Sequence, residues 1–341
     1  MKNLVRFLFA QFAFLFLASA AFAQQPTPPP VEDTSKTFEV RLPVTVVDKK
    51  KNLVACSESK DRIFNKDKKK EVVQCFTKDD FIVLEDGVPQ EVTFFTDEKT
   101  NPPVYVGVLM DTSPSTAGKM TFSKEAASNF LFSVVRLRKD RAAFMTFDHE
   151  VQLKQDFTDK LDLLRDAVDK VKKVGSQTAL YDAVWEFSDE KLRNAPGRRV
   201  IVVITDGDDT FSRADINDAI DIAQRTETTI FAISTKEAFL GAVPGVDAGT
   251  VKDKGDKFLT RLCEETGGEA FFTGDMLALE KAFKKVSEEL RSQYIITYRP
   301  ANQNYDGRKR KIEVVFKNKE NADKFKIRSK TEYRSVRDSL R

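Results

Sequence analysis

The sequence predicts an α/β protein: a doubly wound, mostly parallel sheet, with a smaller all-β accessory domain formed by the N- and C-terminal flanks. Three observations carry this expectation. From Pro103 onward, apolar runs of strand length alternate with segments of helical period, the pattern of a parallel sheet covered on both faces. Residues 37–47 and the stretch after Gly307 alternate with period two, as half-buried strands do. At 341 residues the chain exceeds the ~250 to 300 residues one hydrophobic core usually serves, which leaves room for a second, smaller core.

Taken in order, the chain opens with Lys2 and Arg6, an apolar run from Phe7 to Leu17 and the small-x-small triplet Ala21-Phe22-Ala23. Residues 1–23 therefore read as a secretory signal peptide cleaved after Ala23, which makes the protein secreted or periplasmic. The run is short for a ~30 Å hydrocarbon core, so an uncleaved N-terminal anchor is the lesser alternative. Residues 24–36 are Pro-rich and too polar to build a core, and they form a linker.

Residues 37–97 form a β-rich accessory region. Phe38, Val40, Leu42, Val44 and Val46 line one side of a strand, and F-I-V-L-E-D-G-V-P-Q-E-V-T-F-F gives two more strands around Asp86-Gly87. The α/β domain spans 102–300. Its strands fall at Val104–Met110, Ala142–Phe147, Val151–Phe157, Arg199–Thr205, Thr228–Ser234, Glu269–Thr273 and Gln293–Tyr298. Helices follow Phe122, Ala126, Phe130 and Val134, then Leu161, Leu164, Val168 and Val171, and lie near 178, 213–226, 256–266 and 276–292. Residues 301–341 read as a β-hairpin tail built on Ile312, Val314 and Phe316, then Phe325 and Ile327. Because a lone hairpin is marginal in water, the tail is expected to pack with 37–97 in one β-sandwich.

Composition excludes several classes. Hydrophobic content of 41% with 32% charged residues describes a folded chain that is neither disordered nor membrane-embedded. Removing residues 1–23 takes away two positive charges and no negative ones, lowering the formal net charge from +3 to +1, so nothing points to nucleic acid. The stretch Gly307–Arg341 is locally basic; it reads first as a solvated strand face and second as a contact for an anionic envelope surface. Three cysteines in an exported chain predict a Cys56–Cys75 disulfide clipping the charged segment 57–74, with Cys263 left as a buried apolar residue. The only histidine, His149, lies in a distant segment, so Cys263 is not expected to act as a nucleophile.

The residues that carry chemistry sit at strand ends. Asp111 follows V-Y-V-G-V-L-M and Asp206 follows R-R-V-I-V-V-I-T, so both carboxylates leave the carboxyl edge of a parallel sheet, where ligands gather. Ser113 and Ser115 stand two and four residues beyond Asp111, and Thr178 lies in the loop G-S-Q-T-A-L-Y-D-A, where helix N-capping is its alternative role. Carboxylates and hydroxyls are hard oxygen donors suited to Mg²⁺, with Mn²⁺ or Ca²⁺ as substitutes, and unsuited to a thiolate–imidazole zinc centre. Asp208 and Asp209 lie on the rim, as solvated acids or as residues tuning the site.

These residues resemble a von Willebrand factor A domain with a metal-ion-dependent adhesion site. The family pattern D-x-S-x-S, a Thr in a second loop and an Asp in a third correspond to Asp111, Ser113, Ser115, Thr178 and Asp206. The resemblance covers about residues 102–300 and extends to exported bacterial proteins that hold the domain between β-rich flanks. It implies a Rossmann-like fold and a binding module whose metal accepts a carboxylate from a protein or surface polymer. Pro114 stands where Gly is common, and 57–74 looks like an insertion. A metal-assisted hydrolase is disfavoured because D-T-S-P-S lacks the second acid of a D-x-D motif. A role as accessory subunit of a larger intracellular assembly conflicts with the signal peptide.

Overall fold

A computed structural model of the protein describes residues 39–50, 52–54, 75–96, 102–172, 174–236, 254–272, 276–304 and 306–335. The expected signal peptide, the Pro-rich linker, the insertion 57–74 and Cys56, with its expected bond to Cys75, lie outside the described residues.

In chain order the N-terminal flank supplies β1 (Val40–Asp48), β2 (Phe81–Glu85), β3 (Val88–Gln90) and β4 (Val92–Thr96). The α/β region follows with β5 (Val104–Asp111), α1 (Met120–Val134), β6 (Arg141–Phe147), β7 (Val151–Thr158) and α2 (Leu161–Asp169). Next come α3 (Leu180–Glu186), β8 (Arg198–Thr205), α4 (Ile216–Arg225), β9 (Thr228–Ser234), α5 (Lys254–Thr266), β10 (Ala270–Phe272) and α6 (Met276–Ser292). The chain ends with β11 (Tyr294–Tyr298), β12 (Lys309–Phe316), α7 (Lys319–Lys324), β13 (Phe325–Arg328) and β14 (Glu332–Arg334).

The central sheet has six strands in the order β10-β9-β8-β5-β6-β7, parallel except for the β6–β7 pair. Strands β5, β8 and β9 are almost wholly buried and apolar, as strands covered on both faces must be. One face packs Val106, Val108 and Met110 against Phe130 of α1, Leu164 of α2 and Phe283 of α6. The other packs Leu109, Ile201 and Val203 against Leu180 of α3, Ile220 of α4 and Leu262 of α5. Each such aliphatic or aromatic side chain contributes roughly 1.5–3 kcal/mol by leaving water. Gly107 is bare because the Phe187 ring lies where a β-carbon would stand, only 2.1 Å away. Helix α4 starts on Asp215, whose carboxylate accepts from the Asn217 and Asp218 amides while Asp218 reaches back to its backbone.

The flanks form two four-stranded sheets, β13-β1-β11-β4 and β14-β12-β2-β3, which share a core of Leu42, Val44, Phe76, Phe81, Val83, Tyr294, Tyr298 and Phe316. This is the all-β accessory sandwich predicted, but three of its strands differ from expectation. The run 88–96 breaks at Glu91 into β3 and β4, which enter different sheets, so Asp86-Gly87 turns a hairpin of β2 and β3 only. Strand β11, expected in the α/β domain, pairs with β1 and β4 instead. The tail does not close as a hairpin either: β12 joins β2 and β14, whereas β13 crosses to β1 after α7 carries the chain between sheets. Sequence period reports which face of a strand is buried, not which strand lies beside it, so all three errors are errors of pairing. Pro43 sits where β1 is paired on the β11 side alone, a position that tolerates its missing N–H.

The basic C-terminal stretch is not a uniform solvated face. Arg310 turns inward to Glu85, and Arg328 reaches Glu269 and Glu289, while Lys330 is buried. Cys263 is fully buried and free, as expected, and burial pushes its thiol well above the ordinary range.

Candidate metal centre

Strand order reverses between β5 and β8: the chain leaves β5 for β6 on one side, and β8, β9 and β10 build outward on the other. In open α/β sheets the loops splay apart at such a point and leave a crevice at the carboxyl ends of the strands. Asp111 ends β5 and Thr205 ends β8, directly before Asp206, so the registered pairing of these two strands delivers both carboxylates to that crevice.

Asp111 is fully buried. Its Oδ1 accepts from the Ser113 amide at 2.8 Å and its Oδ2 from the Thr205 hydroxyl at 2.6 Å. Burial, reinforced by the nearby Asp206 carboxylate, lifts its pKa to about 6 against the opposing pull of the Thr205 and Ser113 hydrogen bonds. The loop then folds back over the strand end. The Thr116 hydroxyl donates to the Ser113 carbonyl at 2.9 Å and brings the Ser113 and Ser115 hydroxyl oxygens to 3.1 Å. Ser113 is buried and Ser115 is exposed, so the pair runs from the floor of the crevice to its rim. Pro114, at the first helical position of this turn, carries no N–H to lose.

Thr178 is buried, but it does not cap α3, whose N-cap is Ala179. Its backbone joins the loop that follows Asp206 instead: its N–H donates to the Thr210 hydroxyl at 3.0 Å, and its carbonyl accepts from the Thr210 and Phe211 amides at 2.9 Å. Asp206 is also buried. Gly207 follows at φ +84°, with the Gly255 carbonyl 2.8 Å from where a β-carbon would stand, so only glycine turns the chain there. The structure thus brings Asp111, Ser113 and Ser115 into direct contact, sets Asp206 beside Asp111 and ties Thr178 to the Asp206 loop.

The rim acids have distinct roles. Asp208 is mostly exposed and lies 3.7 Å from Lys236. Asp209 accepts from the Tyr181 amide at 3.2 Å and the Ser212 hydroxyl at 2.6 Å, and so holds the loop onto the start of α3. It is therefore not a free solvated acid. Sequence reasoning missed Thr205 and Asp148. Thr205 was legible only as a polar residue closing an apolar strand. Asp148 lies in the β6–β7 turn, where it accepts from the Thr112 hydroxyl at 3.2 Å and pairs with His149 at 2.8 Å. Its approach to the D-T-S-P-S segment depends on a tertiary contact that spacing does not encode.

The donor set fits a hard divalent cation. Two ligands on neighbouring corners of an octahedron at ~2.1 Å from its centre lie about 3.0 Å apart, close to the separation of the two serine hydroxyls. No group of three or more His, Cys, Asp or Glu side chains is arranged for a metal among the described residues; here two carboxylates are complemented by hydroxyls. A buried carboxylate beside a second one is what a bound cation would offset.

A doubly wound sheet with a hydroxyl and carboxylate cluster at its switch point defines the von Willebrand factor A class of binding domain. The chain belongs to that family: residues 106–285 match the von Willebrand factor type A domain. Among solved structures it is similar to an aerotolerance-related membrane protein from Bacteroides fragilis, at 15% identity over 55% of this chain and 98% of that one, with a TM-score of 0.43. It is also similar to a von Willebrand factor type A protein from Catenulispora acidiphila (12% identity, 70% and 67% of the two chains, TM-score 0.44). A third is proximal thread matrix protein 1 from the mussel byssus with a zinc-occupied MIDAS motif (15% identity, 60% and 49%, TM-score 0.44). No curated protein matches the chain.

Proposed function

We propose that the protein is an exported binding module that recognises a protein or envelope polymer through a divalent cation, Mg²⁺ in the first instance, held by Asp111, Ser113, Ser115, Thr178 and Asp206. The observation that carries this reading is the Ser113–Ser115 hydroxyl pair, 3.1 Å apart on a loop anchored to the buried Asp111 carboxylate. The bound cation would supply a charge that accepts a carboxylate from the partner. The protein's own residues perform the positioning: Thr205 orients Asp111, Thr116 folds the serine loop, and the Thr178 carbonyl holds the Asp206 loop. The signal peptide, with cleavage after Ala23, supports a secreted or periplasmic location, and no helix among the described residues is long and apolar enough to cross a membrane. Exposed Arg308, Lys309, Lys311, Lys317 and Lys319 offer an anionic envelope a secondary contact.

Calorimetry with Mg²⁺ and Mn²⁺ on the wild type and Asp111→Ala tests the metal centre, and equal affinities would sink it. A pull-down from envelope material with and without EDTA tests the partner. Capture that ignores EDTA would move recognition away from the crevice.

A further inference from the structure

At the opposite edge of the central sheet, where β5, β8 and β9 begin, the flanking sheet closes over a cleft of about 200 Å³. Pro43, Phe94, Pro102 and Ile295 give it apolar walls, and Arg41, Arg198 and Arg199 line it together with Glu227. A smaller recess shares Pro43, Glu227 and Thr229 with this cleft and adds Lys330. Seven steps of ~3.3 Å along β8 separate Arg198 from Thr205, so the cleft lies about 23 Å from the metal centre.

Among the described residues, Arg41 and Arg199 share a single acid here. Arg198 is committed to the end of α6, donating to the Leu290 and Gln293 carbonyls. Arg199 donates to the Ala195 and Thr226 carbonyls, and its guanidinium lies 3.7 Å from Glu227. Arg41, its side chain 45% exposed, pairs with the same Glu227 at 3.4 Å, its one ion pair among the described residues. Glu227 is held at φ +54°, so a single carboxylate on a left-handed residue serves two guanidiniums. Lys330 is only 6% exposed, and its ammonium has no hydrogen bond or ion pair among the described residues; it lies 5.8 Å from the centre of the Tyr333 ring. A buried cation is costly, and the one acid that shares its recess, Glu227, is already engaged by Arg41 and Arg199.

We propose that this cleft binds a small organic anion with an apolar body. Its carboxylate lies between Arg41 and Arg199, towards the adjoining recess that holds Lys330, and its body rests on Phe94, Pro43 and Ile295. The volume is below the ~300 to 1,000 Å³ of sites for drug-sized molecules, which limits the body to about one ring. Phe94 is 57% exposed at the mouth, a large apolar surface that such a body would cover.

Benzoate is the probe, followed by ligand-observed NMR and calorimetry on the mature chain. Benzyl alcohol serves as the neutral analogue and inorganic phosphate as the anion without a body. Benzoate is expected to bind at least about tenfold more tightly than either analogue, and Arg41→Gln and Lys330→Met are each expected to weaken it about tenfold or more. EDTA and Asp111→Ala leave it unchanged, which separates this site from the metal centre. Equal binding of benzyl alcohol or phosphate overturns the proposal, as does indifference to Arg41→Gln, an exposed position where folding is not at stake. Loss of benzoate with EDTA overturns it too, because the carboxylate would then be on the metal. The sequence places Asp97 and Glu98 between Thr96 and Pro102, which both line the cleft. Benzoate binding seen only after Asp97→Asn with Glu98→Gln would make the occupant the chain's own acids and likewise overturn it.

Discussion

Glu85 in the β-sandwich and Asp111 in the central sheet are buried to nearly the same degree, at 3% and 0% exposure, yet their surroundings differ in kind. Glu85 accepts from the Tyr298 and Tyr333 hydroxyls at 2.7 and 2.9 Å and faces the Arg310 guanidinium at 3.0 Å. Burial, together with the Glu85 carboxylate, pushes both phenols well above their ordinary range, so they remain donors at any physiological pH. Asp111 has only the Thr205 and Ser113 hydroxyls and the Ser113 amide, a second carboxylate nearby, and no cationic side chain as partner among the described residues. The sandwich neutralises its buried charge internally and gains rigidity. The switch-point crevice sets no such cation beside its carboxylates among the described residues, and the proposed metal centre rests on that difference.

Glu85→Ala is the harshest test of that contrast, because it strands Arg310 in the sandwich core. The expected loss is about 3–5 kcal/mol in urea denaturation, with metal affinity of the folded fraction unchanged. A loss under about 1 kcal/mol would mean that the network contributes little net stability.

Lys330 extends the comparison to a buried cation. Its pKa is held down to about 8, chiefly by burial, with partial relief from Glu227. The folded lysine thus releases its proton at lower pH than the unfolded chain, which binds more protons between about pH 8 and 10.5. The penalty is complete below pH 8 and fades as pH rises through that window. Lys330→Met should therefore stabilise by about 3 kcal/mol at pH 7, with the advantage gone above about pH 10.5. A gain independent of pH would assign the effect to packing alone.

Asp111→Ala is expected to reduce Mn²⁺ affinity at least a hundredfold, about 2.7 kcal/mol, while changing stability in EDTA by no more than about 1 kcal/mol. The asymmetry between the two readouts is the point, since Glu85→Ala should show the reverse. Thr205→Val, which removes the hydroxyl holding Asp111 Oδ2, should weaken Mn²⁺ by about tenfold with a stability change near 1 kcal/mol.

Strand ends and short spacings made much of the candidate site legible. The apolar runs before Asp111 and Asp206 placed both residues at one sheet edge, and the i+2 and i+4 hydroxyls lay within a single turn. Thr205 and Asp148 escaped because their roles come from strand register and from the β6–β7 turn, contacts between residues far apart in sequence. Thr178 was placed in the right loop but given the wrong alternative, since Ala179 holds the cap position. In the sandwich, alternation identified the buried faces of β1 and β12 correctly. It could not report that β11 leaves the α/β region or that β12 and β13 part company, because period two is the same whichever neighbour a strand takes.

The interleaving of the flanks also sets an order of assembly. Tyr333 and Glu85, which meet in the sandwich core, are 248 residues apart in the chain, and β1 finds both of its neighbours only after α6 has been made. During synthesis the first strands must wait with open edges while the central domain completes itself, and the loop it then closes is long and entropically costly. Chains truncated near residue 292 would keep every strand of the central sheet and still present β1 unpaired and β2 paired only with β3, which makes edge-to-edge aggregation, more than loss of binding, the characteristic failure of an incomplete molecule.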